Sequence, residues 1–268
     1  MAGDIKPIES TPTTQPTKSS RLGYLKGRVR QRIAEDEETL RRMGGNPDVL
    51  PPRYKLKQAV RSVGGEERSS TDFLTGLGAK RLYESTLRQE IASVNRERRS
   101  FPLELTVMDL DDFGKFNKKY GNPAGDEVLK TVGTTILKTL RESDQAFRIG
   151  GEELVVVSRR THDPERSGSR TVSERLNEAI SAARTEQGFQ VTVSAGQTDY
   201  IPGEDQATFY RRANTAELVA KFLGKNRAVI GEVINERDVF TDTITGKTYT
   251  AFFNDTGEFV GAEEIING

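Results

Sequence analysis

Between Asp72 and Glu232 the spacing of apolar residues switches between helical and strand-like periods in one fixed order. Leu82, Leu87, Ile91 and Val94 fall on one face of a helix near 78–98. The run Leu103 to Leu110 reads as a strand, and Val128, Leu129, Val132, Ile136, Leu137 and Leu140 mark a helix over 124–141. Ala146–Ile149 and Leu154–Ser158 are short apolar runs on either side of Gly150-Gly151, which is a hairpin signal. A helix over 171–186, a strand over 189–199, a helix over 206–223 and a strand over 227–232 follow. The order is helix, then strand–helix–strand–strand–helix–strand, then helix and strand. Its centre is the split βαβ, ferredoxin-like arrangement of an α+β protein.

The flanks have a different character. Residues 1–20 are rich in Thr, Ser, Pro and Lys with little to bury, and read as a disordered tail. Residues 21–70 read as a helical extension or linker. A charged helix over 22–43 carries a thin stripe of Leu25, Val29, Ile33, Leu40 and Met43, stops at Gly44-Gly45-Asn46-Pro47, and precedes a short helix over 53–63. Residues 1–70 hold 14 basic and 9 acidic side chains, a mild excess that suits a solvated linker face rather than a nucleic-acid arm. The main domain spans 71–233. Over 234–268, Val239–Ile244 and Thr248–Phe253 flank Thr245-Gly246-Lys247 as a β-hairpin. Asn254-Asp255-Thr256-Gly257 can turn the chain into a third strand, which makes a small C-terminal β appendage.

Composition narrows the chemistry. Forty basic and forty acidic side chains in 268 residues leave no net charge, so a polyanion site must be a local cluster. The absence of Cys excludes disulfides, thiolate zinc sites and cysteine nucleophiles. The one histidine, His162, sits in a polar stretch that reads as an exposed loop, so histidine triads and histidine-rich metal sites are ruled out in practice. A metal here must be a hard, oxygen-liganded ion such as Mg²⁺. No apolar run approaches the ~20 residues that span a bilayer, and no secretory signal core is visible; a cytoplasmic location is expected.

Acidic residues mark where that ion would sit. The first strand ends in Asp109-Leu110-Asp111-Asp112, and the hairpin turn is Gly150-Gly151-Glu152-Glu153. The topology makes these segments neighbours in one sheet, so their carboxylates should converge at one edge. Like charges brought together repel unless a cation neutralises them. Two ions about 3.5–4 Å apart could clamp the attacking and leaving oxygens of a phosphoryl transfer. The two glycines are expected to tighten the turn and admit a nucleotide close to the backbone.

Over residues 70–233 these features resemble the GGDEF family, the diguanylate cyclases. Asp72-Phe73-Leu74-Thr75-Gly76-Leu77 resembles the family's opening D-x-L-T-G-L, and Asp109-Leu110-Asp111-Asp112-Phe113 its D-[IL]-D-x-F segment. Asn117, Tyr120-Gly121 and Gly125-Asp126 fit N-x-x-[YF]-G-x-x-x-G-D. Arg148-Ile149-Gly150-Gly151-Glu152-Glu153-Leu154 is similar to the signature R-x-G-G-[DE]-E-F. Ser194-Ala195-Gly196 and Ala220-Lys221-x-x-Gly224-Lys225-Asn226-Arg227 match the closing motifs. The resemblance implies a polymerase-palm-like domain that condenses two GTP into cyclic di-GMP and two pyrophosphates. It further implies a homodimer in which two domains, each holding one GTP, face each other across a two-fold axis.

The resemblance also implies roles for residues. Asp109, Glu152 and the Leu110 carbonyl would ligate Mg²⁺ (or Mn²⁺), and Glu152 or Glu153 would help deprotonate the 3′-hydroxyl. Asn117 and Asp126 would read guanine, because a carboxylate accepts from guanine N1–H and the N2 amine, a donor pair adenine lacks. Asp126 is also expected to begin the 124–141 helix as a favourable N-terminal carboxylate. Lys221 and Lys225 would neutralise the triphosphate, and Asp72 would pair with Arg148 to brace the turn. Asn122, in place of the family's usual His, is counted with the substrate-binding residues. Gly114 replaces the usual Lys, with Lys115 adjacent; Leu154 replaces Phe, and Lys225 the commoner Arg. None of these departures removes a metal ligand. Arg141-Glu142-Ser143-Asp144 resembles the family's R-x-x-D product-inhibition site, which makes cyclic di-GMP a feedback inhibitor as well as the product. One strand separates it from the turn, roughly 15 Å at 3.3 Å per residue. The alternative is a catalytically silent domain that binds cyclic di-GMP as a receptor.

Overall fold

The centre of the molecule is an eight-residue strand whose side chains divide between two cores. In the computed structural model, which describes residues 70–96, 102–160 and 171–265, strand β2 (Leu103–Leu110) lies in a nine-stranded sheet of order β1-β3-β4-β2-β5-β6-β7-β8-β9. The other strands are β1 (Gly78–Ala79), β3 (Gln145–Arg148), β4 (Glu153–Arg159), β5 (Val193–Asp199), β6 (Arg227–Ile234), β7 (Arg237–Asp242), β8 (Thr248–Phe253) and β9 (Phe259–Glu264). Five helices accompany them among the described residues: α1 (Lys80–Arg96), α2 (Phe113–Tyr120), α3 (Asn122–Thr139), α4 (Val172–Ala182) and α5 (Gln206–Phe222). The expectations for residues 1–69 and for the loop around His162 lie outside the described residues.

Strand periodicity sorts the core. Leu103, Leu105 and Val107 of β2 join Val155 and Val157 of β4 on the face covered by α1 and α5, through Leu82, Leu87, Phe209 and Ala213. Met108 and Leu110 join Leu154 and Val156 on the opposite face, beneath Val128, Val132 and Ile136 of α3 and Leu176 and Ile180 of α4. Each such aliphatic contributes about 1.5–3 kcal/mol by leaving water. β2 pairs antiparallel with β4 and with β5, and β4 with β3, so β5-β2-β4-β3 is the expected ferredoxin-like order. β6 then adds parallel to β5 after the crossover through α5. An alanine methyl at Gly196 of β5 would collide with the backbone of α5 at Ala213 and Glu217. That close approach seats the helix directly on the sheet.

Three elements differ from the periodicity reading. α2 forms where only a motif was read: Phe113, Phe116 and Tyr120 make an aromatic stripe that meets Phe189. α4 starts at a capping box between Thr171 and Glu174 and ends at Ala182, short of the expected 186; beyond it the Thr185 N–H donates to the Phe189 carbonyl and the Phe189 N–H to the Thr185 hydroxyl oxygen. The strand expected from 189 therefore begins at Val193. The C-terminal strands are present and continue the sheet. Asn235 and Glu236, both at positive φ (50° and 64°), form a two-residue hairpin turn that pairs Ile234 with Arg237. Phe240 and Tyr249 then pack on Ala216, Val219 and Ala220 of α5.

Candidate active site

Asp109 projects to the same side of β2 as Leu103, Leu105 and Val107, towards α5. Its register partner on β4 is Glu153, and Glu152 occupies the turn immediately before it. The convergence of Asp109 with the hairpin carboxylates is thus built by strand pairing alone. Lys221 of α5 places its Nζ 3.0 Å from Asp109 Oδ1 and 2.9 Å from Glu217 Oε1. Glu217 was not anticipated from the sequence. It is only 3 % exposed, and its Oε1 has no directed hydrogen bond although the ammonium lies beside it. Burial pushes its carboxyl up to about 7 against the opposing pull of Lys221. Its signal in the sequence was the Glu–Lys spacing of one helical turn.

The remaining charges respond to the same crowding. Burial raises the Asp109 carboxyl, offset by Lys221. Burial also raises Glu152, reinforced by Asp109 and Glu153 and opposed by Lys221. Burial would lower the Lys221 ammonium, but Glu217 and Asp109 outweigh it and the net shift is upward. The edge therefore gathers more negative charge than its one ammonium balances, and Asp109 already accepts a cation. Its donors are hard oxygens. Among the described residues no group of three His, Cys, Asp or Glu is arranged to hold a metal. The two carboxylates and backbone carbonyl expected from the sequence would be a partial set, of the kind Mg²⁺ accepts because that ion keeps positions for water and substrate phosphates.

Asp111 and Asp112 take other partners, although the Asp111 charge still acts on Asp109 and Glu217. Thr192 Oγ1 and Ser194 Oγ each donate to Asp111 at 2.6 Å, and the Asn226 backbone N–H donates at 2.9 Å. Asp111 thereby ties the end of β2 to the loop before β6. Asp112 is exposed, with φ 55° ahead of α2, and pairs with Lys115 and Lys225 at 2.8 Å each. Those hydrogen bonds, Lys115 first, bring its carboxyl down to about 2. Lys225 itself lies in a run of three left-handed residues, Gly224 (113°), Lys225 (66°) and Asn226 (46°). The bond from Asn226 to Asp111 offsets part of that backbone cost.

The signature turn is braced from outside. Arg148 donates through Nε and Nη2 to the Gly151 carbonyl at 3.0 and 2.7 Å, and through Nη1 to both Asp72 oxygens at 3.3 Å. The pairing of Asp72 with Arg148 is as expected. The two glycines serve different ends. A Cβ at Gly150 would strike the Glu153 side chain, whereas one at Gly151 would meet nothing within 4 Å. Neither has the positive φ that a tightened turn would need, so space and not backbone conformation favours glycine at Gly150.

The expected guanine readers lie at the α2–α3 junction. Asn117 presents its Oδ1 to the first turn of α3, buried and without a hydrogen-bond partner. A methyl group at Gly125 would occupy the position of that oxygen. Asn122 and Asp126 are exposed on the same turn. α3 begins at Asn122 behind Gly121, so Asp126 lies one turn inside the helix and does not begin it. Arg141 and Asp144 lie between α3 and β3, with β3 separating them from the signature turn. Asp144 is buried and turned into its own loop, where it accepts from the Arg141 N–H at 3.0 Å and the Ser143 hydroxyl at 3.2 Å.

Comparison with known proteins identifies the family. The family model described as "Diguanylate cyclase, GGDEF domain" matches residues 69–227. The diguanylate cyclase DgcS of Shewanella oneidensis is 34% identical over 155 residues, covering 58% of this chain and 50% of its own length. DgcP of Pseudomonas aeruginosa is 35% identical over 217 residues, covering 78% of this chain and 32% of its own length. The chain thus spans half or less of the length of these curated relatives. Among solved structures, the GGDEF domain of DgcB from Caulobacter crescentus in complex with c-di-GMP superposes with a TM-score of 0.53 at 26% identity. That match covers 62% of this chain and 98% of that one. A strand end and a braced Gly-Gly-Glu-Glu turn that share one cation-accepting edge, inside a matched segment of this extent, place the chain in the GGDEF domain family.

Proposed function

We propose that this protein condenses two GTP into cyclic di-GMP and two pyrophosphates. The observation that carries this reading is the edge where Asp109 and Glu152 meet with Lys221 against them. Asn117 offers its unpartnered oxygen to the guanine N2 amine, and Asp126 accepts from the same base edge. Asn122 stands beside them on the rim. Lys221 and Lys225 exchange Asp109 and Asp112 for triphosphate oxygens. Glu152 or Glu153 accepts the proton of the 3′-hydroxyl. The 3′-oxygen of one GTP then bonds to the α-phosphorus of the other while the bond to pyrophosphate breaks, and the reciprocal step closes the ring. A Mg²⁺ or Mn²⁺ ion held by Asp109, Glu152 and the Leu110 carbonyl would neutralise charge on the reacting phosphate.

One domain provides one half-site, so the reaction needs a homodimer with two domains opposed. Arg141 is the group that would take a phosphate or guanine edge of cyclic di-GMP in feedback inhibition; Asp144 holds its loop. Among the described residues no helix is long and apolar enough to cross a membrane, and a cytoplasmic enzyme would meet GTP directly. The test is to incubate the whole protein with GTP and Mg²⁺, then Mn²⁺, and identify the products. Cyclic di-GMP and pyrophosphate are expected, and Asp109→Asn or Glu152→Gln should each slow formation at least about a hundredfold. Full activity in either variant sinks the metal assignment. Binding of cyclic di-GMP with no turnover would instead make the domain a receptor.

A further inference from the structure

Glu217 is a buried carboxylate that the proposed reaction does not use. It sits on α5 among Ala213, Ala216 and Ala220, all fully buried, on the helix face that rests against β5. A methyl at Gly196 would collide with its backbone nitrogen, so its position on the sheet has no slack. Burying a carboxylate costs several kcal/mol unless a partner compensates. The ion partner at Glu217 is Lys221, which also reaches Asp109. An apolar residue would fill the same space without that cost, so the carboxylate demands a reason at this place.

We propose that Glu217 is a positioning residue: it anchors the Lys221 ammonium at the mouth of the carboxylate edge, ready for the triphosphate of GTP. The inference rests on the reading that Lys221 contacts that triphosphate. A lysine carries a flexible four-carbon stem, and fixing it on a ligand costs rotamer freedom. A second carboxylate behind the ammonium meets that cost before substrate arrives. It also keeps the lysine in place when another cation takes over Asp109. Asp109 alone could not serve, because whatever neutralises it would release the lysine.

The test is binding of guanosine 5′-(α,β-methylene)triphosphate to the whole protein by calorimetry. Lys221→Met, Glu217→Gln, Glu217→Leu and the double variant Glu217→Leu/Lys221→Met are compared. Each Glu217 variant should weaken binding about tenfold, the scale of one immobilised side chain. In Glu217→Leu the melting temperature should hold or rise, since replacing one buried charge by an apolar group of similar size while its partner keeps Asp109 removes a desolvation cost. The double variant should bind no worse than Lys221→Met, because the glutamate acts only through the lysine. If Lys221→Met weakens binding but the Glu217 variants do not, or if the two effects multiply, the positioning role is overturned and the triphosphate reading survives. Unchanged binding in Lys221→Met overturns both.

Discussion

At the scale of single residues, the site is governed by carboxylates that burial pushes towards their neutral forms. Glu217 is the extreme, raised to about 7. The unfolded chain would release that proton near its ordinary value of 4.5, while the native state keeps it until about 7. Between those values the native state binds more protons, so stability is fully present at low pH and lost as pH rises through 7. The charges facing Glu217 are Lys221, one turn along α5, then Asp109 and Asp111. Melting temperature in metal-free buffer should therefore fall between pH 5 and pH 8, with a shallower fall in Glu217→Gln; identical slopes would show that Glu217 is not the titrating group. A second test concerns Gly125. An alanine there displaces the Asn117 side chain and should weaken GTP binding about tenfold with little change in helix content. An unchanged preference for GTP over ATP would remove Asn117 from base reading. The placement of Asp109, Glu152, Glu153 and the Asp72–Arg148 brace was legible from motif spacing, because strand register carries it. Glu217 was not, since a Glu one turn before a Lys is commonplace on a solvated helix and only the seat against Gly196 makes it buried.

At the scale of elements, α5 links everything. It crosses from β5 to β6, carries Lys221 and Glu217, and covers both the α1-side core and the C-terminal strands. Its seat depends on Gly196, whose added methyl would meet backbone atoms that cannot move aside. Gly196→Ala should destabilise the protein by about 1–3 kcal/mol or more in urea unfolding and weaken triphosphate binding in parallel. A stability loss with unchanged nucleotide affinity would separate the helix seat from the site. The long elements β2 and α3 were legible because their apolar positions repeat at strand and helix periods. α2 escaped because Gly114 and three lysines dilute its stripe of Phe113, Phe116 and Tyr120. The turn at Asn235-Glu236 escaped because it lacks the Gly that usually marks such hairpins, although Asn tolerates positive φ.

At the scale of the whole molecule, the proposed reaction needs two domains. The rate per unit of protein should rise with protein concentration and level off when dimers saturate; a concentration-independent rate from a monomer would refute the paired half-sites. The segment matched by the family model ends at Arg227, the first residue of β6. Strands β7 to β9 lie beyond it, yet Phe240 and Tyr249 are buried in the same cluster as α5. Cutting the chain after Ile234 should cost about 3 kcal/mol or more from the loss of Phe240 alone. The segment that the family model matches is therefore shorter than the unit that folds here. A chimaera that borrowed only the matched segment would inherit the residues of the proposed site but leave one flank of their supporting helix bare to water. A transplant that keeps residues through 265 would carry its own scaffold with it.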